Sequence, residues 1–572
     1  MFNIMSAKGS FILISVAAVI CGLIVIAVSM YDKIKPSTTN MDLYNYYKMS
    51  YDSTDSAVLI LQDEISSEAV FIDNNLMYIE KSVLPSINSR FCWDDKANKL
   101  IVITPSEYIT VDYQSLDYDS NGTRQTMESI IMKQVDGKTY VSLPFITKFC
   151  NIEYKYFEKP NRLVLIYKWN KDITMATVKS QTELRYMATS SSDILSTPKV
   201  GDKVTVTEQD CGDDKKYTKV ATEDGLIGYM LSSSLNAPFT EKLTNNYKGD
   251  DYDAARLPYV SMGWFSVAGK KGNSEIDKMI KGRTGMNVVS PTWFAVSDEN
   301  GSIRSFGTEE CVTTCHNANL KVWPTVNDFD YEKVSLYNVI KDDSKRKTLI
   351  DNIIKETLAL KCDGVNIDFE HITKDSSASY IRFLREITVE CHKNNLTLSV
   401  DSYVPVSYRS QYKLDEMSEF VDYVVIMAYD EYGEGSKKAG PTSSIKWVKT
   451  AVDKTLESVP NKKVVIGIPF FMRYWKENSK GTVTSTSALS MSDGIATLKK
   501  AGVKASWDES TGQYFASYKS GNYTCKLWLE SASSVNSKLE YIMGKNVAGA
   551  AYWRLGYEDV TEVWDVIDDY LK

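Results

Sequence analysis

Residues 257–572 read as an α/β barrel of eight parallel strands wrapped in helices, and three observations carry that reading. The run 362–371 alternates polar Asn366, Asp368 and Glu370 with apolar Val365, Ile367 and Phe369, so a strand there has one polar and one apolar face. An apolar run at 350–360 with helical spacing precedes it, and a helical segment at 380–391 follows it, giving an α-β-α rhythm. The whole region is roughly 315 residues long, which suits such a barrel with insertions.

Strands are expected at 259–267, 287–296, 320–325, 364–370, 396–403, 423–430, 464–470 and 547–553, each followed by a segment able to hold a helix. The stretch 481–530 carries Trp507, Tyr514, Tyr518 and Trp528 among turn residues and is expected to be a small inserted β-rich subdomain forming one wall of a cleft. Barrels of this kind bury the outer strand face under helices and gather their chemistry at the C-terminal strand ends. Asp368 and Glu370, about 7 Å apart along one strand at its end, therefore suit acid catalysis. A surface strand with solvated acids is the plain alternative.

The motif D-G-x-x-x-D-x-E, formed by Asp363, Gly364, Asp368 and Glu370, resembles the signature of glycoside hydrolase family 18. Residues 424–430 (VVIMAYD) resemble that family's M-x-Y-D strand, 465–470 (VIGIPF) its G-x-P strand, and 549–553 (GAAYW) its last strand with a subsite tryptophan. The family commonly has a third acid where this chain has Asn366, and the S-x-G-G segment usual on the third strand is absent around 322–327. The wording G-V-N-I-D-F-E, with I-G-I-P-F and M-A-Y-D, is closest to the branch with bacterial spore-cortex and cell-wall N-acetylglucosaminidases, and less like the secreted chitinases.

The resemblance implies a role for each matching residue. Glu370 is the proton donor, Asp368 orients the substrate's 2-acetamido group, whose oxygen is the nucleophile, and Tyr429 hydrogen-bonds that oxygen. Asp430 shapes the same subsite and Trp553 floors it, a sugar's apolar face stacking on the ring. Asn366, Asp363, Met427, Tyr403 and Trp293 complete the substrate-binding candidates. With Asn366 in place of a third carboxylate, the deeper site is expected to have one negative charge fewer and no partner to share a proton with Asp368. The segments 263–265 and 291–293 fit either the cleft rim or core packing.

No metal or cofactor is expected: the three histidines, His316, His371 and His392, have no ligand-spaced partners, and Cys311 and Cys315 lack a second pair. A net charge of −8 argues against a nucleic-acid partner. The remaining cysteines form no compact disulfide framework.

Residues 11–30 carry no charge and are long enough to cross a bilayer, so the chain is expected to keep a single-pass membrane anchor after a cytoplasmic stretch at 1–10, or to be secreted if that segment is cleaved after 27–29. Residues 31–60 read as linker. Within 61–170 a pattern recurs: 75–79, Leu84-Pro85, 91–93 and 98–103 are matched by 137–141, Leu143-Pro144, 149–150 and 161–166, each half reading as hairpin, short helix, hairpin. This resembles the copper amine oxidase N-terminal-like domain of bacterial surface proteins, without metal ligands. Residues 171–237, with short alternating runs at 200–204, 217–220 and 224–229, resemble a bacterial SH3-like domain, and 238–256 reads as a linker into the barrel.

Together these features lead to the expectation of an outward-facing glycosidase acting on a polysaccharide at the cell wall, peptidoglycan first and a chitin-like polymer second. A sugar-binding wall protein on an inactive barrel is the reading from another class, and the presence of Glu370, Asp368 and Tyr429 argues against it.

Overall fold

The computed structural model describes residues 35–169, 171–245, 256–558 and 560–570. The expected membrane span at 11–30 lies outside the described residues, among which no helix is long and apolar enough to cross a membrane.

The barrel closes. Its first strand, Val260–Phe265, pairs in parallel with the second at Val288–Pro291 and with the eighth, Gly549–Trp553. The fourth to seventh strands, Gly364–Asp368, Thr397–Tyr403, Tyr423–Met427 and Val464–Pro469, pair in parallel order and join the eighth. The second and third strands are each broken in two, into Val288–Pro291 with Phe294–Val296 and Lys321–Val322 with Thr325–Asn327, each half keeping its own pairing. Prolines 291 and 324 sit at the breaks, where a missing N–H removes a ladder bond.

Helices Asp343–Ala359 and Ser377–Lys393 flank the fourth strand. Val365, Ile367 and Phe369 are buried with their apolar residues in one large outer core, while Met262, Trp264, Tyr423 and Val425 form a separate cluster with Trp553 against it. This is the alternation the sequence dictates: one face to the helices, one to the barrel interior. Gly364 is required by space, since a Cβ there would meet the Thr397 carbonyl at 2.5 Å and the Trp323 indole at 2.7 Å.

The insertion begins earlier than expected. Strand Phe471–Glu477 follows almost directly from the seventh barrel strand and pairs with Val483–Ser490 and Tyr523–Leu529 in a five-stranded sheet. No glycine or turn cluster separates Pro469 from Phe471, so the chain passed as one continuous apolar run.

In the N-terminal part, hairpin, helix and hairpin occur twice: Leu84–Ile87 lies between the hairpins of the first half, and Leu143–Phe149 between Lys138–Ser142 and Glu153–Phe157 of the second. Residues read as linker supply structure here: helix Leu43–Tyr47, and strand Ser56–Leu61 in the middle of the seven-stranded sheet. A second seven-stranded antiparallel sheet runs from Asp172–Thr177 to Phe239–Lys242, so its last strand lies in the segment read as the second linker. The polar run behind the second linker reading does not exclude a paired strand of this length.

The N-terminal region docks on the barrel. Ile101 and Ile103 pack on Val389 of helix Ser377–Lys393, Arg385 donates to Ser89 Oγ at 3.0 Å, and His392 Nδ1 lies 2.6 Å from the Pro105 carbonyl. The residues in these contacts do not line the cavity at the barrel mouth.

Candidate active site

A cavity of about 340 Å³ opens at the C-terminal ends of the strands, lined by Asp368, Glu370, Asp401, Tyr403, Met427, Tyr429, Asp430 and Trp553, with Trp264, Phe329, Arg409 and Trp447 among its walls. Asp368, last in the fourth strand, is 7% exposed, and its Oδ1 is buried without a hydrogen-bond partner. Burial, followed by the charges of Asp401, Glu370 and Asp328, holds its carboxyl well above the usual range.

Glu370 lies just past the strand. Its backbone N–H donates to Asp328 Oδ1 at 3.0 Å and the next N–H, of His371, to Oδ2 at 3.1 Å, so one carboxylate at the end of the third strand fixes the turn that aims Glu370. Burial raises the Glu370 carboxyl; the hydroxyl of Tyr403, which donates to Oε2, pulls it back, and the charge on Asp328 pushes it up. Burial also keeps Tyr429 protonated far past its ordinary range. Asp430 sits in the left-handed backbone region at φ 53°, which Asp tolerates, and its Oδ1 meets Arg473 of the insertion at 3.2 Å.

Three sequence candidates lie elsewhere or play another part. Asp363 is at the opposite end of the barrel, accepting from Lys321 Nζ at 2.8 Å and the Val322 N–H at 2.9 Å, with His316 Nε2 at 2.8 Å. Being the residue before the strand, it belongs to the closed end. Trp293 falls between the two halves of the second strand and turns into the outer core, where its Nε1 donates to Asn273 Oδ1 at 2.7 Å. Asn366 points inward but stops below the cavity. Its Oδ1 accepts from Trp264 at 3.2 Å and Ser290 at 3.3 Å, while its Nδ2 donates to Ser399 Oγ at 3.0 Å and Asp401 Oδ1 at 2.8 Å.

That last bond corrects the expected charge deficit: the deep site has a further carboxylate, Asp401, contributed by the fifth strand. The signal was present, because Ser399, Asp401 and Tyr403 alternate with apolar Leu398 and Val400 as the polar residues of the fourth strand do. Asp328 and Arg409 carry no comparable pattern, one following the three-residue second half of the broken third strand and the other lying on the turn Ser407–Tyr412. Trp507, Tyr514, Tyr518 and Trp528 do not line the cavity; Trp507 packs on Tyr514, and Tyr518 meets Tyr474. Among the described residues no group of His, Cys, Asp and Glu is placed to hold a metal, and no disulfide joins the eight described cysteines.

Residues 289–558 match the family described as Glycosyl hydrolases family 18. The match spans a little under half of this chain. The chain is 24% identical over 300 residues to the Uncharacterized glycosylase YvbX of Bacillus subtilis, covering 49% of this chain and 84% of that protein. It is also 24% identical over 225 residues to the Cortical fragment-lytic enzyme of the same organism, covering 38% of this chain and spanning about half, 52%, of that relative. Among solved structures, the Bacillus cereus spore cortex-lytic enzyme SleL superposes with a TM-score of 0.50 at 18% identity over 55% of this chain and 74% of that one, a likeness of fold. These matches support a glycoside hydrolase, and Glu370, Asp368 and Tyr429 line the cavity at the barrel mouth.

Proposed function

We propose that the chain is a retaining glycosidase that cleaves β-1,4 bonds next to N-acetylglucosamine in peptidoglycan, with the substrate's 2-acetamido oxygen as nucleophile. The observation that carries the reaction is the convergence of Glu370, Asp368, Tyr403 and Tyr429 on one cavity. Glu370, whose protonated form burial favours, gives its proton to the leaving oxygen. As the acetamido oxygen bonds C1, Asp368 Oδ1, which has no protein partner, receives the acetamido N–H, and the protonated Tyr429 hydroxyl donates to the acetamido oxygen. Water then attacks C1, Glu370 takes its proton, and the ring-closed intermediate reopens with the original configuration. Trp553, half-buried and edge-on to Trp264 at 5.9 Å, is placed to stack under the cleaved sugar.

The substrate class rests on Arg409, the one cation among the described residues lining the cavity. Peptidoglycan carries lactyl and peptide carboxylates beside its N-acetylglucosamine; chitin carries none. The name of the cortical fragment-lytic relative points the same way. Digestion of purified sacculi and of chitin at equal sugar concentration, read by mass spectrometry, tests it. The expected products are muropeptides with N-acetylglucosamine at the reducing end, and a clear preference for chitin overturns the reading.

The same proposal includes retention by the apolar span at 11–30, with the barrel outside the membrane, and a wall-facing role for the N-terminal region through its SH3-like and copper amine oxidase N-terminal-like parts. Membrane fractions resisting salt extraction support the anchor. A form starting near residue 31 in the medium as the main species removes it.

A further inference from the structure

We propose that Asp401 supplies the carboxylate missing at position 366, sharing one proton with Asp368 and so fixing that residue's charge while the acetamido group attacks. The inference rests on the glycosidase reading above and makes Asp401 a positioning residue, acting through Asp368.

The placement comes from strand register. The fourth and fifth strands are parallel and pair Asn366 with Ser399 and Ile367 with Val400; carried on by one residue, the register sets Asp401 beside Asp368, both on the inner face. Asn366 cannot exchange a proton, and both ends of its amide are engaged: Trp264, Ser290 and Thr325 donate to Oδ1, while Nδ2 donates to Ser399 and to Asp401 Oδ1. With Trp264, which also donates to Asp401, it fixes the orientation of that carboxyl beside Asp368. Asp401 is 2% exposed.

Two carboxylates in one buried space do not both ionise. The other groups around the pair make this more severe: Glu370 on the rim and Asp328 from the third strand are acidic, Asp430 past the sixth lines the same cavity, Tyr429 is neutral, and Arg409 over Tyr403 and His371 against Asp328 are engaged at the rim. Burial and Glu370 push Asp401 well above the carboxylate range, as burial and Asp401 do for Asp368. One proton between them leaves a single negative charge. In the first step the C1–oxygen bond to the leaving group breaks, the C1–acetamido oxygen bond forms, and the Glu370 proton goes to the leaving oxygen. The acetamido nitrogen becomes cationic against the one charge of the pair; in the second step the C1–acetamido oxygen bond breaks, a C1–water oxygen bond forms, and the water's proton goes to Glu370. The pair gains and loses no proton overall.

The test uses the full chain, with Asp401→Asn and the double variant Asp401→Asn/Asn366→Asp, which moves the carboxylate back to the fourth strand. With a chromogenic N-acetylglucosamine oligomer, Asp401→Asn is expected to lower kcat about 10-fold or more with KM within about 3-fold, and the double variant to recover part of kcat. Carbon-13 NMR of aspartate-labelled protein gives a readout independent of turnover: wild type should hold an aspartic carboxyl protonated past neutral pH, Asp401→Asn should lose it, and the double variant should regain it. Wild-type kcat in Asp401→Asn, or a wild-type chain with every aspartate ionised at neutral pH, overturns the proposal. A wild-type chain that cleaves no N-acetylglucosamine polymer removes the glycosidase reading instead, and the NMR titration still decides the pairing.

Discussion

The hydroxyl of Tyr403 donates to Oε2 of Glu370, so the proton donor of the proposed reaction is held by a group that favours its ionised form. Burial works against that bond, and burial is the larger influence. Arg409 covers the same tyrosine ring at 3.8 Å, so its position, and with it the aim of Glu370, is tied to the turn after the fifth strand.

Tyr403→Phe removes the influence that lowers the Glu370 carboxyl. The alkaline limb of kcat/KM, which reports loss of the Glu370 proton, is expected to move upward. Glu370→Gln should abolish that limb and cost about 10²–10⁴-fold in kcat with ligand binding kept. A downward move in Tyr403→Phe, or near wild-type turnover in Glu370→Gln, counts against the assignment.

Arg409→Gln separates substrates. A charge-assisted hydrogen bond to a carboxylate contributes about 1.5–3 kcal/mol, so kcat/KM on sacculi should fall roughly 10-fold or more. Uncharged chitooligosaccharides should lose only the packing over Tyr403, within about 3-fold. Equal losses on both would mean that Arg409 only supports Tyr403.

Much of this site was legible because barrel strands encode their inner face in every second residue. Glu370, Asp368 and Tyr429 stand at strand ends, where parity and position along the strand both point into the mouth. Asp363 was misplaced because a motif gives spacing along the chain without saying which end of the strand each member occupies. For Trp293 the alternation left cleft rim and core packing both open, and it falls to the core because the second strand breaks beside it, which changes the parity that the alternation depends on. Asp328 acts through its two backbone partners, and Asp401 through a neighbouring strand; contacts of that kind follow from register, which the sequence leaves open until strands are paired. The eight barrel strands followed from their apolar runs, while the start of the insertion did not, since nothing marks the passage from Pro469 to Phe471.

Glu530 and Lys538 form a fully buried ion pair at 2.5 Å, with Gln513 and Ser534 also bonded to the carboxylate. The pair ties the last strand of the insertion to helix Ala532–Met543, which packs on the barrel. Lys538→Met strands the carboxylate and should cost about 3–5 kcal/mol, read as a lower barrel transition temperature by calorimetry. Lys538→Met/Glu530→Leu should recover most of the loss. A double variant as unstable as the single one would show that packing, and not the unpaired charge, sets the cost.

The acidic cluster itself should make the fold sensitive to alkali. Asp368, Asp401 and Glu370 all have folded pKa values above their unfolded ones, so the folded state binds more protons in the window between the two. Their contribution is fully present below the ordinary carboxylate range, near about pH 4, and is lost as pH rises through the folded values. Asp368→Asn removes one of these groups while keeping its shape. Relative to wild type, the variant should gain about 1–2 kcal/mol near neutral pH and nothing near about pH 4, at the expense of turnover. Calorimetric transition temperatures of both chains across that range measure the difference, and an offset that stays constant with pH, or one that grows toward acid, would place the strain of this site in packing and not in buried charge.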